Sequence, residues 1–377
     1  MTSSDTPSSE NSLAGERPCA LTGLRVVSMA EQYPGPLCTM ILSDMGADVI
    51  QVERPKIGDP SRFLKFFYER LNRGKRSVAL DIRDDADKER LLALVVDADV
   101  FLEGFRPGKL AARGLGYEDL KAVNPRLIYC SISGYGQTGP YRDRPAHDIT
   151  FQGIGGALDE RLKGDVNGLP PATLMGDTAS ALYATIGLLS AIVARHRDGV
   201  GTHIDIAMSD SVLATQTPFA GGTSEDDPAP PQAEPAYGLF RCADGRFLTL
   251  SIAHEDDYWK RLCWDLNLTD LVETKRDERV SKREEIKDRV AAVIASRPFE
   301  AWEATFEKSG QMWGPAYRLD DVSEDPQIED RDLFARLERA DGVSQLVLRQ
   351  PIRFSAYRNA PLRRAPRLNE TPDAGFD

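Results

Sequence analysis

Three consecutive runs, Leu24-Arg25-Val26-Val27-Ser28-Met29, Leu37-Cys38-Thr39-Met40-Ile41-Leu42 and Asp48-Val49-Ile50-Gln51-Val52-Glu53, decide the fold of this chain. The first and third are short, apolar and β-branched, as buried strands are. Residues 33–36 between the first two are rich in Pro and Gly and read as a loop. The middle run suits a buried helix, and Gly46 stops it before the next strand. A strand–helix–strand unit of about 30 residues predicts two parallel strands joined by a right-handed crossover.

The alternation continues outward. Residues 77–81, 99–103 and 127–132 read as strands, and 85–96 as a helix. This predicts an α/β fold with a Rossmann-like, doubly wound parallel sheet. Ligands of such sheets sit at the C-terminal strand ends, so the loops beginning at Met29, Glu53, Glu103 and Ser133 become candidates. A long apolar helix covers 182–195. Residues 221–234 carry Asp, Glu, Pro and Gly and little to bury, and read as a linker or loop. A strand at 245–252 and helices through 257–308 suggest a smaller α+β domain. The expected organisation is a disordered tail (1–20), a large domain (21–215), a linker (216–235), a small domain (236–315) and a C-terminal segment (316–377) returning to the large domain.

The 377 residues are 41% hydrophobic and 28% charged, ordinary for a soluble enzyme. A net charge of −12 argues against nucleic acid as a partner, since no cation surplus exists to displace counterions. No apolar run is read as approaching the roughly 20 residues that cross a bilayer, so no membrane partner is expected. Cys19, Cys38, Cys130, Cys242 and Cys263 are scattered and form no CxxC pair. Neither a disulfide framework nor a metal site is expected, and a reducing cytoplasmic compartment fits.

Asp177, in Gly176-Asp177-Thr178-Ala179-Ser180, stands at the head of the long apolar helix, where a helix N-terminus favours a carboxylate. His147 lies upstream in Ala146-His147-Asp148-Ile149. Folded beside Asp177, it would complete a pair able to move a proton from one face of a carbon to the other. Three basic loops, Val52-Glu53-Arg54-Pro55, Leu71-Asn72-Arg73-Gly74-Lys75-Arg76 and Glu103-Gly104-Phe105-Arg106-Pro107-Gly108, put cations at ligand ends of the sheet. Together they suit a phosphorylated ligand. There is no GxGxxG and no Walker A loop, so neither a nicotinamide cofactor nor ATP is favoured. His196 and His203 read as structural.

Taken with Ser133-Gly134-Tyr135-Gly136-Gln137-Thr138-Gly139-Pro140 and Met45-Gly46-Ala47-Asp48-Val49-Ile50, these motifs resemble the family III CoA-transferase superfamily (CaiB/BaiF type), which also contains the α-methylacyl-CoA racemases. The resemblance implies coenzyme A as part of the substrate, no permanently bound cofactor, and an interlocked homodimer. It implies CoA contacts from Arg54, Asn72, Arg73, Lys75, Arg106 and Tyr135. Asp177 matches the superfamily's aspartate, a nucleophile in the transferases and an acid/base in the racemases. His147 at its spacing from Asp177 favours a racemase, with Glu255 the nearest match to the glutamate that supports the histidine and His254 a weaker candidate. The preferred expectation is 1,1-proton transfer at C2 of a 2-methyl-branched acyl-CoA through an enolate. Backbone N–H groups at the helix start would donate to the enolate oxygen, and the side chains of residues 178–181 would either narrow the space for the acyl group or supply the hydroxyls of Thr178 and Ser180 as donors. The alternative is CoA transfer to a free carboxylic acid through an anhydride on Asp177.

Overall fold

Strand β1 (Arg25–Ser28) runs into a loop that Pro34 turns into helix α1 (Pro34–Asp44), its fixed φ suiting the first helical turn. A computed structural model describes residues 17–159, 173–222 and 229–376 of the chain. Gly46, at φ 104°, ends α1 where a Cβ would lie 2.3 Å from that of Cys19. There follow β2 (Asp48–Glu53), α2 (Lys65–Leu71), β3 (Arg76–Ala79), α3 (Asp85–Asp97), β4 (Val100–Glu103), α4 (Tyr117–Val123) and β5 (Ile128–Ser133). Next come α5 (Asp148–Ile154), α6 (Met175–Asp198), β6 (Thr202–Ala207) and α7 (Met208–Thr215).

All six strands are parallel, in the order β3-β2-β1-β4-β5-β6. Strand alternation sends Val26, Val49, Leu102, Ile128 and Cys130 to the face under α1 and α6. Val27, Ile50, Val78, Phe101 and Tyr129 face the opposite way, under α3 and α4. The order reverses between β1 and β4, so the loops after these strands diverge and leave a crevice. Helix α6 has 24 residues and is apolar and long enough by composition to cross a bilayer, which corrects the expectation that no run reaches that length. Here its Ala181, Ala184 and Leu188 are buried in the core that α1 and the sheet share.

The described residues up to Ala220, together with those from Asp332, form one compact unit. The later part contributes a hairpin, described below, and a strap along the free edge of β3. In the strap, Ala360 N donates to Asp44 O, Gly74 N to Arg363 O, and Thr371 N to Ser77 O. Covering a sheet edge in this way satisfies its open backbone groups.

Residues Gly221–Arg331 form the second unit. Strands β7 (Tyr237–Arg241) and β8 (Phe247–Ser251) precede helices α8 (Asp256–Asp265), α9 (Arg276–Ser281), α10 (Arg283–Ile294) and α11 (Phe299–Ser309). Strand β9 (Trp313–Ala316) completes an antiparallel sheet with β8 central, and α12 (Pro326–Asp330) closes the unit. The first unit's hairpin is then β10 (Phe334–Glu338) with β11 (Ser344–Leu348). Trp259, Trp302 and Phe306 fill the second unit's core, and both indole N–H groups donate to backbone carbonyls at 2.8 Å.

The linker expected over 216–235 is corrected at its end. Glu234 is buried, paired with Arg279 at 2.9 Å, and Arg279 also reaches Asp256 at 2.7 Å and lies over the Trp259 ring. Residues 1–16 of the expected tail and 223–228 of the expected linker fall outside the described residues. Arg279→Met leaves the buried Glu234 charge on Arg276 alone, at 3.2 Å. With one partner kept, it is expected to destabilise the second unit by about 1–3 kcal/mol, and Glu234→Gln added to it should recover part of the loss. All four tryptophans lie in this unit, so urea unfolding followed by tryptophan fluorescence checks it directly.

Candidate active site

The start of α6 is built around a carboxylate borrowed from α5. Asp148, buried in the first turn of α5, accepts the N–H groups of Gly176 at 2.7 Å and Asp177 at 3.1 Å on one oxygen. Its other oxygen accepts from the Gln152 amide, which also donates to Thr173 O. Asp148 therefore caps the helix in place of Leu174, the N-cap residue, which has no side-chain acceptor. The Asp177 carboxyl makes no hydrogen bond among the described residues. It is half-buried, and burial first, then the neighbouring Asp148 charge, push it from 3.8 up to about 7.

This accounting overturns one expectation. The backbone N–H groups around Asp177 are engaged: those of Gly176 and Asp177 on Asp148, that of Thr178 on Leu174 O at 3.0 Å. The Ser180 hydroxyl is engaged too, donating to Asp177 O at 3.1 Å. Thr178 Oγ1 instead meets the Tyr33 hydroxyl at 3.2 Å. Tyr33 escaped the sequence reading because the loop after β1 showed only Pro and Gly signals.

His147 precedes Asp148 at the start of α5, so the hydrogen bond from Asp177 N to Asp148 ties its backbone to the start of α6. Its imidazole is exposed and makes no hydrogen bond among the described residues. Glu255 belongs to the second unit and is engaged within its own loop. It accepts from Ala253 N at 2.9 Å, which holds its carboxyl below the usual range, and stands 3.8 Å from His254 Nε2. Tyr135 packs edge-on against Phe151 of α5 at 5.3 Å. His203 bonds to Ser131 Oγ at 3.0 Å and stacks on Tyr117.

The basic loops divide into two kinds. Asn72, Arg73 and Lys75, expected to face a ligand, are buried and used internally. Arg73 is bidentate on Asp44 at 3.1 and 2.6 Å. Lys75 Nζ donates to Pro36 O and Asn72 Oδ1, and burial holds it down to about 7. This loop pins α1 from below, because its glycine turn directs the long side chains inward.

Arg54 remains exposed, on an ion pair with Glu31 at 3.0 Å, and lines a cleft of about 490 Å³ at the C-terminal ends of β1 and β2. Lys56, Arg83 and Arg113 line it as well, cations that no motif in the sequence marks. Phe105 lines the far side, and its N–H donates at 2.7 Å to Glu103, a buried carboxyl that desolvation pushes up to about 7. Arg106 follows, exposed to solvent.

Because the folded state raises the Asp177 carboxyl well above its unfolded value, this group contributes stability that is fully present below about pH 4 and lost as pH rises through about 7. Asp177→Asn is therefore expected to melt above the wild type at pH 8, by about 2–4 °C, with the gap closing towards pH 4. Thermal scans across this range check it, and an equal gap at both ends would contradict it.

The sequence profile of CoA-transferase family III matches residues 21–371. A succinyl-CoA:mesaconate CoA-transferase from Haloarcula hispanica is 33% identical, over 93% of this chain and 94% of its own. The human succinyl-CoA:glutarate CoA-transferase is 30% identical, over 93% and 84%. A crystal structure of a CaiB/BaiF family protein from Brucella suis superposes with a TM-score of 0.81 at 33% identity, covering 95% of this chain and 98% of that one. With its reversed six-stranded sheet, an aspartate at the head of α6 and a match over nearly its whole length, the chain belongs to CoA-transferase family III.

Proposed function

We propose that this protein moves coenzyme A between an acyl-CoA and a free carboxylic acid, with Asp177 as the nucleophile. The observation that carries the reading is the Asp177 carboxyl itself, half-buried, without a hydrogen bond among the described residues, at a helix start that Asp148 caps. A carboxylate stripped of donors in a partly dry site is a more reactive nucleophile than one held by them.

The chemistry balances without any proton transfer. The Asp177 carboxylate adds to the thioester carbonyl, and the C–S bond breaks to give a mixed anhydride and CoA thiolate. The thiolate attacks the aspartyl carbonyl, which releases the first acid and leaves an aspartyl thioester. An incoming carboxylate and the released thiolate repeat the two steps in reverse, restoring Asp177. Each step exchanges a carboxylate for a thiolate, so no second acid/base residue is needed. That accords with an exposed His147 that makes no hydrogen bond among the described residues and a Glu255 engaged in its own loop.

The relatives' names support this order of preference over the racemase expected first, and the dicarboxylic acids in those names, mesaconate and glutarate, make such acids the leading acceptors. The cleft of Arg54, Lys56, Arg83 and Arg113 is where the phosphates of CoA would sit. Exposed Leu182, Ile186 and Val193 form an apolar stripe along α6, which supports a second copy of the chain as partner.

The test is to incubate the protein with succinyl-CoA and glutarate or mesaconate and follow the new acyl-CoA by mass. Transfer is expected, with hydroxylamine converting Asp177, activated as its anhydride or thioester, into the hydroxamate with release of the acid or of CoA. Asp177→Asn should lose at least about 10³-fold in kcat, and His147→Ala less than about tenfold. Absence of transfer, with His147-dependent deuterium uptake at C2 of a 2-methylacyl-CoA, would return the assignment to racemisation. Ile186→Glu is expected to shift the protein towards monomer in light scattering.

A further inference from the structure

Addition of Asp177 to a thioester carbonyl places negative charge on the carbonyl oxygen, and that charge requires hydrogen-bond donors close to Asp177. Around Asp177 itself the N–H groups of Gly176 and Asp177 are engaged on Asp148 and that of Thr178 on Leu174 O. The Ser180 hydroxyl is engaged on Asp177 O. Two hydroxyls beside them, Tyr33 and Thr178, stand 3.2 Å apart, and neither makes another hydrogen bond among the described residues. Two hydroxyl protons serve one contact, so one proton is left over.

Donor strength decides which one. A phenol, with a pKa of about 10, gives up hydrogen-bond density to an anion more readily than an aliphatic alcohol. The favoured arrangement has Thr178 donating to the Tyr33 oxygen, which polarises the phenol and strengthens its own donation.

Tyr33 is also held in place. Its ring packs on Phe67 at a centroid distance of 5.4 Å. Its loop is fixed from several sides: Gln51 Nε2 donates to Ala30 O at 2.7 Å, Gln32 N to Asp59 Oδ2 at 3.0 Å, and Lys75 Nζ to Pro36 O at 3.0 Å. Gln32 sits at φ 68°, a left-handed conformation that this set of bonds sustains. A donor held before the reaction needs no reorganisation during it.

We infer that Tyr33, backed by Thr178, is a catalytic residue whose hydroxyl donates to the acyl oxygen as Asp177 adds to the thioester. The inference rests on the reading of Asp177 as nucleophile. In the step, the bond from the Asp177 oxygen to the acyl carbon forms and the carbonyl electron pair moves onto the oxygen. The Tyr33 hydrogen bond shortens without giving up its proton. Collapse then re-forms the carbonyl and expels CoA thiolate.

The experiment measures steady-state transfer from succinyl-CoA to glutarate together with hydroxylamine trapping on Asp177, in the full-length protein. Tyr33→Phe keeps the ring against Phe67 and removes only the hydroxyl. It is expected to lower kcat by about 10²–10³-fold and to leave KM for succinyl-CoA within about threefold. Thr178→Val should lower kcat about tenfold alone and add little to Tyr33→Phe, because both act through one hydrogen bond. A Tyr33→Phe enzyme with wild-type kcat, or with its loss confined to KM, overturns the assignment. If Tyr33→Phe fails to melt cooperatively, Thr178→Val decides, an unchanged kcat counting against the pair. A wild type that neither transfers CoA nor labels Asp177 brings down the transferase reading and the role of Tyr33 with it. A wild type that does both, matched by Tyr33→Phe, brings down the role of Tyr33 alone.

Discussion

The site depends on one contact, in which Asp148 caps the helix that carries Asp177 in its first turn. A carboxylate at a helix start ordinarily accepts from the first free N–H groups and is held low in pKa by them. Here Asp148 takes both bonds at 2.7 and 3.1 Å, and Asp177 is left with burial and a like charge, both of which push its pKa upward. The same contact ties α5 to α6, so the cap and the placement of the reactive group are one feature. Gly176 permits it, because a Cβ there would lie 3.1 Å from the Asp148 oxygen.

Much of the fold was legible because strand and helix periods differ. The run 48–53 was read with the bounds it has, and the first helix was recognised although Pro34 begins it earlier than its apolar residues suggest. The parallel order followed from alternation, but sequence periodicity carries no information on which face a polar residue meets. That is why Asn72, Arg73 and Lys75 were read as ligand cations. A buried Arg73 on Asp44 and an exposed Arg54 on Glu31 look alike as letters, and only the turn at residue 74 separates them. Glu234 was missed for a related reason: its partner Arg279 lies on a helix far along the chain, and a lone acid among prolines has the composition of a loop.

Asp177 was legible from its glycine and the apolar helix behind it, and Arg54 and Arg106 from their place after strands. What surrounds Asp177 was not. Tyr33 reaches Thr178 from a loop 145 positions away, through packing of α1 on α6, and no local pattern marks such a contact. His147 was given weight for its spacing, yet spacing along a chain does not orient a ring, and here the imidazole is exposed.

The buried cations give the site its second constraint. Lys75 and Arg73 lie beneath α1, where an ion without partners would be costly, and each is matched by oxygen atoms of the loop or helix above it. Lys75 thereby fixes the Pro36 carbonyl, Pro36 fixes the start of α1, and the start of α1 sets where Tyr33 stands relative to α6. Cations that resemble phosphate binders in sequence thus serve the fold beneath α1. The exposed arginines after β2 and β4 stay hydrated, so pairing with an anion would cost them less desolvation. Charge in this chain is therefore divided by solvent. Buried cations hold the geometry at the start of α1, and hydrated ones stay at the surface on exchangeable partners, Arg54 on Glu31 and Arg83 on Asp81.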